Sequence, residues 1–385
     1  MDKFTPSISV KINKDMQIPT DGGDKIDTRG GEGILCVTVD LRLDNPDMFS
    51  VEYDMMKLEK LNLLDSFKPG DPVEISLGLE QSEVLCIGEI SYIEPSFDVE
   101  TGYHTTISGY HKLHRLTRGQ RSKTWGDGLD ASQTPTNAVK DVIGQSQSQV
   151  GKQQDGLAAS KVDASQVKLK YIPQLNMSDF EFLRAIGASL ELKADPEGDT
   201  KVNFAKADPK GEPVMKIARD RAVAGDEEGS LILHAAFRLS TVQQYAAVEV
   251  RGWDPEKKKN IVQKVTSSTY DFGEGSKGHA ETGTALYKSA SAGRKYVVMD
   301  QAVSTTEEAK ALAQALFDQF SMDFLTGEVT LKGNPKLLPG KTIEFTDFGK
   351  NFSGKYLITS ATHTYRPEEG YRTTVAFARN AKGKA

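Results

Sequence analysis

Two blocks of this chain recur in the same order. KPGDPVEISL (68–77) is answered by LPGKTIEFTD (338–347); both open on Pro-Gly and then set apolar residues at Val73 and Ile75, or at Ile343 and Phe345. GYHTTISGY (102–110) is answered by GYRTTVAFA (370–378), with Gly-Tyr, Thr-Thr and a β-branched residue in register. The blocks are nearly equally spaced in the two copies, with a glycine between them, Gly88 or Gly354. A duplication constrains folding more than composition does, because both copies must reach the same unit. Both blocks alternate apolar with polar residues, the period-two signature of half-buried antiparallel strands. The expected fold is therefore β-rich α+β: two homologous antiparallel β-barrels in tandem, the second one split, with helical and mixed insertions.

The remaining patterns fill in that frame. Alternation at Ile8, Val10 and Ile12, at Leu35, Val37, Val39, Leu41 and Leu43, at Val73 to Leu79, at Val84, Cys86 and Ile90, and at Tyr103, Thr105 and Ile107 places a first barrel over 1–118. A mixed α/β insertion covers 119–230. It holds a helix with Pro135 in its first turn and Val139, Val142 and Ile143 on one face. A second helix starts at Ser178, where Ser178 and Glu181 have capping-box spacing, with Phe182, Ile186 and Leu190 following. The second barrel takes 231–268, including Ala246, Val248 and Val250, and 326–380. Between them, 269–325 is a connector plus a helix near 305–321, whose stripe is Ala309, Leu312, Ala313, Leu316, Phe317 and Phe320. Ser304 with Glu307, or Thr305 with Glu308, caps it. The stripe is expected to cap a barrel core. Gly- or Gln-rich stretches at 21–33, 144–166 and 273–293 are expected to be mobile alone and to order on contact with partners.

A chain of 385 residues supports two or three domains. Its net charge of -6 disfavours a nucleic-acid role, which needs a basic excess. Cys36 and Cys86 sit in apolar alternating runs and read as buried thiols. The N-terminus has no apolar signal segment, and no apolar run is long enough to cross a bilayer, so synthesis in the cytoplasm and no membrane insertion are expected.

Candidate chemical sites are weak. His104, Tyr110, His111 and His114 lack zinc spacing and a completing Cys or carboxylate. Gly333 to Gly340 superficially resembles a phosphate loop but has the wrong glycine spacing and leads into strand signals. Asp226, Glu227 and Glu228 suit a solvated turn beside Gly225 and Gly229 better than paired glycosidase carboxylates. Trp253 in Gly-Trp-Asp-Pro is expected to close a strand end against the core. Arg115, Arg118, Arg121 and Lys123 form a basic run that reads as a solvated face or as a contact for an acidic neighbour. No catalytic, cofactor or metal residue is assigned, and interface residues cannot be named from the sequence.

Several segments carry a resemblance. YHKLHRLTRGQRSKTW (110–125), QLNMSDFEFLRAIGASLEL (174–192), VEVRGWDPEKKKNIV (248–262), GNPKLLPGKTIEF (333–345) and FSGKYLITSATHTYRPEEGYRTTVAFARN (352–380) together resemble the late control protein D family of phage tail hubs. That family is similar to the N-terminal hub region of valine-glycine repeat spike proteins of type VI secretion. The resemblance implies a structural, non-enzymatic baseplate hub of a contractile tail or tail-like injection system. It implies a homotrimer whose two like barrels per chain make a quasi-six-fold face, joining a hexameric tail tube to a trimeric central spike. Because the sequence stops at Ala385 after the second barrel, that spike is expected to be a separate protein. The competing expectations are a tail-associated peptidoglycan hydrolase and a carbohydrate-binding β-module.

Overall fold

The computed structural model describes residues 6–13, 16–17, 33–43, 45–60, 64–100, 102–126, 133–148, 157–162, 167–186, 191–194, 201–205, 211–219, 232–270, 272, 294–301 and 303–382. The first strands are β1 (Pro6–Ile12), β2 (Met16–Gln17), β3 (Ile34–Arg42), β4 (Met48–Asp54), β5 (Pro72–Leu79), β6 (Gln81–Asp98) and β7 (Gly102–Tyr110), with helix α1 (Met55–Lys60) after β4. The middle region holds β8 (Arg121–Trp125), α2 (Pro135–Ser148), β9 (Ala158–Val162), β10 (Ile172–Met177), α3 (Asp179–Ile186), β11 (Glu191–Ala194), β12 (Lys201–Ala205) and β13 (Met215–Ala218). Then come β14 (Ile232–Leu239), β15 (Ala247–Asp254), β16 (Lys259–Val265), β17 (Lys295–Val298), α4 (Thr306–Met322), β18 (Leu325–Lys332), β19 (Thr342–Thr346), α5 (Gly349–Phe352), β20 (Gly354–Arg366) and β21 (Gly370–Arg379).

One 13-stranded sheet runs β14-β18-β21-β20-β3-β4-β7-β6-β5-β1-β2, with β19 on the flank of β20 and β13 beyond it. Divided at the β3·β20 ladder, it yields two halves of one order: β3-β4-β7-β6-β5-β1 and β14-β18-β21-β20-β19-β13. The correspondence extends to irregularities. The register slips between Ile34 and Cys36 in β3 and between Ile232 and His234 in β14. It slips again between Ile90 and Tyr92 in β6 and between Ile358 and Ser360 in β20. The Pro-Gly turns match too: Gly70 N–H donates to Ile90 O at 2.8 Å and Gly340 N–H to Ile358 O at 2.9 Å. Both glycines take a left-handed φ, +93° and +80°, that side chains rarely tolerate.

Two details of the expected repeat change. Gly88 faces Val73, but Val73's counterpart Ile343 faces Tyr356, while Gly354 faces Phe345. The two glycines are therefore not equivalent positions. In addition, β1 joins β5 antiparallel whereas β13 joins β19 parallel. Among the described residues no ladder joins β1 to β3 or β13 to β14, so each half is an open sheet around its own core, not a barrel closed by hydrogen bonds.

The bulges also redirect side chains. After the slip at β3, Cys36 and Val37 are both buried, and Leu35, expected inside, is 40% exposed. The slip at Ile75/Ser76 likewise turns Leu85 inward and Val84 outward. Elsewhere the pattern is met: Val10, Val37, Val39, Val51, Ile75, Leu77 and Ile107 fill the first core, and Val329, Ile343, Phe345, Ile358, Val375 and Phe377 fill the second.

Domain limits shift as well. Only β14 of 231–268 joins the second half; β15, β16 and β17 form a three-stranded sheet of their own. Helix α4 covers that sheet through Ala309, Ala313 and Phe317 against Val248, Val250 and Ile261, so its stripe does not cap a barrel. The physical reason is local: β15 and β16 are joined by the Asp254–Lys259 turn, and pairing with each other satisfies their edge without the larger sheet. Strand β13, expected in the insertion, belongs to the second half through β19. In the middle region, α2 buries Val139, Val142 and Ile143, and α3 begins with the expected box, Glu181 N–H donating to Ser178 Oγ at 3.2 Å and Ser178 N–H to Glu181 Oε2 at 2.8 Å. Leu190 lies outside the described residues. At α4, Thr305 is the cap, its Oγ1 accepting from Glu308 N–H at 3.2 Å. Part of 144–166 is ordered structure: β9 pairs in parallel with β12. The stretches 21–32 and 273–293 lie outside the described residues.

The β20–β21 hairpin crosses between the halves. Tyr365 and Tyr371, only 2% and 3% exposed, belong to the core of the first half. Truncating either removes a fully buried aromatic ring, so Tyr365→Ala is expected to cost about 3–5 kcal/mol in urea unfolding. Phe97→Ala, on an exposed ring of the other hairpin, is expected to stay within about 0.5 kcal/mol of the parent.

Candidate functional site

Among the described residues the most unusual chemistry lies at strand edges and at the junctions between units. At the seam, β20 pairs with β3 from Ser360↔Arg42 to Tyr365↔Val37, and Leu43 N–H donates to Thr359 O at 3.3 Å. His363 sits opposite Val39 and is fully buried. Its Nδ1 lies 2.8 Å from the Tyr371 hydroxyl and 3.1 Å from Thr373 Oγ1. Burial pushes its imidazole down to about 3, so it is neutral at ordinary pH. Burial likewise pushes the Tyr371 hydroxyl upward, leaving it a neutral hydrogen-bonding partner.

The counterparts of this seam are uncovered. Val51 of β4 and Val329 of β18 face the equivalent residues Ile107 and Val375, and their partners on the far side are Val37 and Ala235. β14 is thus the equivalent of β3, yet among the described residues it has a ladder on one side only. Leu239 is 37% exposed where Leu41 is 4%. On the other side, Phe97↔Tyr103 is the equivalent of Tyr365↔Tyr371. This aromatic pair packs edge to face at 5.7 Å, and its members are 69% and 47% exposed, where the tyrosines are buried. Beyond Ile90, β6 has a ladder with β7 alone among the described residues. Sequence reasoning gave none of these residues a role in a site, although the repeat already aligned Tyr103 with Tyr371 and so carried the signal.

The expected basic run is largely consumed inside the chain. Arg115 grips the buried Glu89 with two hydrogen bonds, Nε to Oε1 at 3.0 Å and Nη2 to Oε2. Burial works against the charge on Glu89, but Arg115, aided by Arg118, outweighs it and holds the carboxyl below its usual range. His114 is depressed chiefly by burial and is therefore neutral. In the matching tautomer its Nδ1 donates to His111 O at 3.0 Å and its Nε2 accepts from Arg118 at 2.6 Å. His111 caps the short Lys112–Thr117 turn, its Nδ1 accepting from Leu113 N–H at 3.0 Å. Arg121 pairs with buried Asp179, and Lys123 reaches Asp141 at 2.6 Å while lying over the Trp125 ring. The Glu89–Arg115 pair ties β6 to the turn that leads into the middle region, and the other two pairs join β8 to α3 and α2 within it. Arg118 alone of the run keeps most of its side chain, 65%, in solvent.

The other sequence candidates separate. His104 lies on β7 near Glu52, away from the His111–His114 turn, and among the described residues no group of three or more His, Cys, Asp or Glu is placed to hold a metal. Gly333 abuts the Tyr371 ring, where an added Cβ would lie 2.0 Å from it, so this glycine serves packing. Asp226, Glu227 and Glu228 lie outside the described residues. Trp253, expected to close a strand end against the core, is 52% exposed, because the inner face of β15 is filled by Val248 and Val250 under α4. Asp254 does start the turn, accepting from the N–H groups of Glu256 and Lys257 at 3.0 Å. A shallow pocket of about 420 Å³ at the end of the second half is lined by Phe272, Glu344, Asp347, Lys350 and Arg379, with no His or Cys. Cys36 and Cys86 are buried and free, and burial pushes the Cys86 thiol upward. No described helix is long and apolar enough to cross a membrane.

The sequence model of a family described as Alg8 N-terminal domain matches residues 59–367, and the chain belongs to that family. That description differs from the family the motifs resemble. No curated protein matches the chain in sequence. Among solved structures, a tail protein from Neisseria meningitidis superimposes with a TM-score of 0.65 at 13% identity, covering 98% of this chain and 97% of its own. The 43 kDa tail protein of prophage MuSo2 from Shewanella oneidensis gives 0.66 at 14% identity, covering 97% and 98%. An Escherichia coli component of the type VI secretion system, with structural similarity to the T4 tail proteins gp27 and gp5, gives 0.52 at 10% identity over 96% of this chain and 76% of that one. The fold is thus the β-rich fold of these tail proteins.

Two expected outcomes test the junctions. Arg115→Ala strands a buried carboxylate and is expected to cost about 3–5 kcal/mol in denaturant unfolding, while Glu89→Gln with Arg115→Met costs less. His363 is neutral when folded but gains a proton on unfolding below its ordinary pKa of 6.5, so stability is complete above that pH and falls as pH drops from 6.5 toward about 3. His363→Gln is expected to flatten that part of the stability–pH profile.

Proposed function

We propose that this chain is a structural baseplate hub of a contractile phage tail or tail-like injection system. Three copies form a ring that presents six like β units to a hexameric tube and keeps a three-fold face for a central spike. It acts by contact and not by catalysis. The observation that carries the reading is the duplication: two halves of one chain share strand order, bulges and Pro-Gly turns, so a three-fold ring of chains is also a quasi-six-fold ring of units. The tail-protein fold supports it, as does the similarity of one structural neighbour to gp27 and gp5. Such a protein is made in the cytoplasm and works as part of the particle.

The test is light scattering on the purified chain together with particle images. The expected result is about three times 42.1 kDa with six lobes around a channel. A monomer that clears peptidoglycan in a zymogram would replace the hub with a tail-borne hydrolase. A monomer that binds glycans without assembling would replace it with a carbohydrate-binding module.

A further inference from the structure

We infer that the face of the β15-β16-β17 sheet turned away from α4, centred on Trp253, is a docking surface for an anionic phospholipid membrane, on which the protein rests without crossing. The inference goes beyond the hub reading and does not depend on it, because the surface is complete within one chain.

The two faces of this sheet are unlike. Strand alternation sends Val248 and Val250 of β15 under α4, together with Ile261 and Val298. The opposite parity carries Glu249, Arg251 and Trp253, with Lys264, Val262 and Asn260 directly across from them on β16. Val297 of β17 lies beside Glu249 on the same face, and Met299 follows it into solvent. Trp253 and Val262 are diagonal neighbours across the ladder, and both are about half exposed. The backbone under the indole is fixed, since Trp253 N–H donates to Val303 O at 3.2 Å. A rigidly mounted indole among apolar neighbours and basic side chains suits the boundary between headgroups and water. There the ring meets apolar material while its N–H stays hydrated.

The charge around the indole selects the partner. The chain as a whole carries a net charge of -6, so its overall field opposes an anionic surface and any attraction must be local. On this face it is. Each carboxylate is already matched: Glu249 holds Arg251 at 2.7 Å and Lys295 at 3.6 Å, Asp254 holds Lys257 at 3.2 Å, and Glu256 holds Lys170. Lys264, and Lys258 and Lys259 on the turn beyond Trp253, are exposed and pair with no carboxylate among the described residues. Lysine therefore supplies the surplus. Protein interfaces favour arginine and are depleted in lysine, whereas a bilayer surface attracts by charge alone and asks for no fixed donor geometry. A strand face is also flat, which matches a bilayer better than the pocket-filling anchors of a protein interface. Nucleic acid fits poorly, because it stacks on successive rings and this face offers one; Tyr296 points to the other side, against Phe320 of α4.

Co-sedimentation with vesicles reads this contact. The full chain is expected to pellet with vesicles of equal parts phosphatidylcholine and phosphatidylglycerol at low salt, and not with phosphatidylcholine alone. Raising salt to about 1 M, where the Debye length is about 3 Å, is expected to release it. The tryptophan emission that Trp253→Ala removes is expected to move to shorter wavelength on the mixed vesicles, while Trp125, buried against Phe182, stays constant. Lys258→Gln, Lys259→Gln and Lys264→Gln together are expected to weaken binding about 100-fold, at roughly fivefold per cation. Trp253→Ala is expected to weaken it about 30-fold. Lys68→Gln, Lys336→Gln and Lys341→Gln change the net charge equally at exposed sites elsewhere and are expected to leave binding unchanged. All these side chains reach solvent, so circular dichroism spectra should match the parent. No pelleting at low salt overturns the inference, and so does pelleting that the Lys68/Lys336/Lys341 variant loses as fully. Trp253 emission already shielded from acrylamide in the free protein also overturns it. Displacement by soluble poly-L-glutamate at equal charge would give the face to an acidic protein instead. A trimer in light scattering that binds no lipid keeps the hub reading and removes this surface; a lipid-binding monomer does the reverse.

Discussion

The backbone ladder between β3 and β20 is the interaction on which the rest of the molecule depends. Without it the chain would be two β sheets on a long tether. With it, β20 serves three neighbours: β19 on its proximal half, β3 on its distal half and β21 along its length. One 13-residue strand can do this because a bulge at Ile358/Ser360 separates the two halves of its hydrogen-bonding edge. The aromatic tip then commits the joint, since Tyr365 and Tyr371 give up solvent only by filling the other half's core. His363 raises the cost of misassembly, because its buried ring is compatible with the seam only when neutral and hydrogen-bonded.

The middle region is held by a different kind of force. Glu89 stands at the midpoint of β6, where the ladder with β5 ends and that with β7 begins, and it is clasped by Arg115 from the turn that leads to β8. Arg121–Asp179 and Lys123–Asp141 continue the line of buried or half-buried ion pairs outward. Apolar burial gives each core its strength; these charges fix orientation, because a buried carboxylate accepts only a few geometries. A basic run that would suit a polyanion is thereby turned into internal cross-bracing.

The small sheet of β15, β16 and β17 with α4 is a self-contained layer between β14 and β18. It interrupts the second half in sequence without interrupting it in space, since β14 and β18 remain paired from Ile232↔Leu331 to Leu239↔Leu325. Insertions are tolerated at such a point because the ladder is completed by the two flanking strands. The half-exposed Trp253 sits on this layer's outer side, where the sequence offered no signal that α4 covers only one face.

The amino-acid sequence by itself determined the β character, the duplication, the helix cap at Ser178, the start of α4 to within one residue, and the inward faces of α2 and most strands, because each of these is local: period, turn chemistry and spacing lie within a few residues. The sequence misjudged Leu35 and Val84, since a bulge reverses the alternation downstream without leaving a residue signature. Only the tertiary structure decided that β13 and β14 complete the second half, that α4 packs on a separate sheet, and that the Arg115 run faces inward. It alone showed Phe97 and Tyr103 exposed where Tyr365 and Tyr371 are buried. Identical local patterns reach opposite burial because burial depends on which strand arrives from elsewhere in the chain, and that is a property of the assembled sheet.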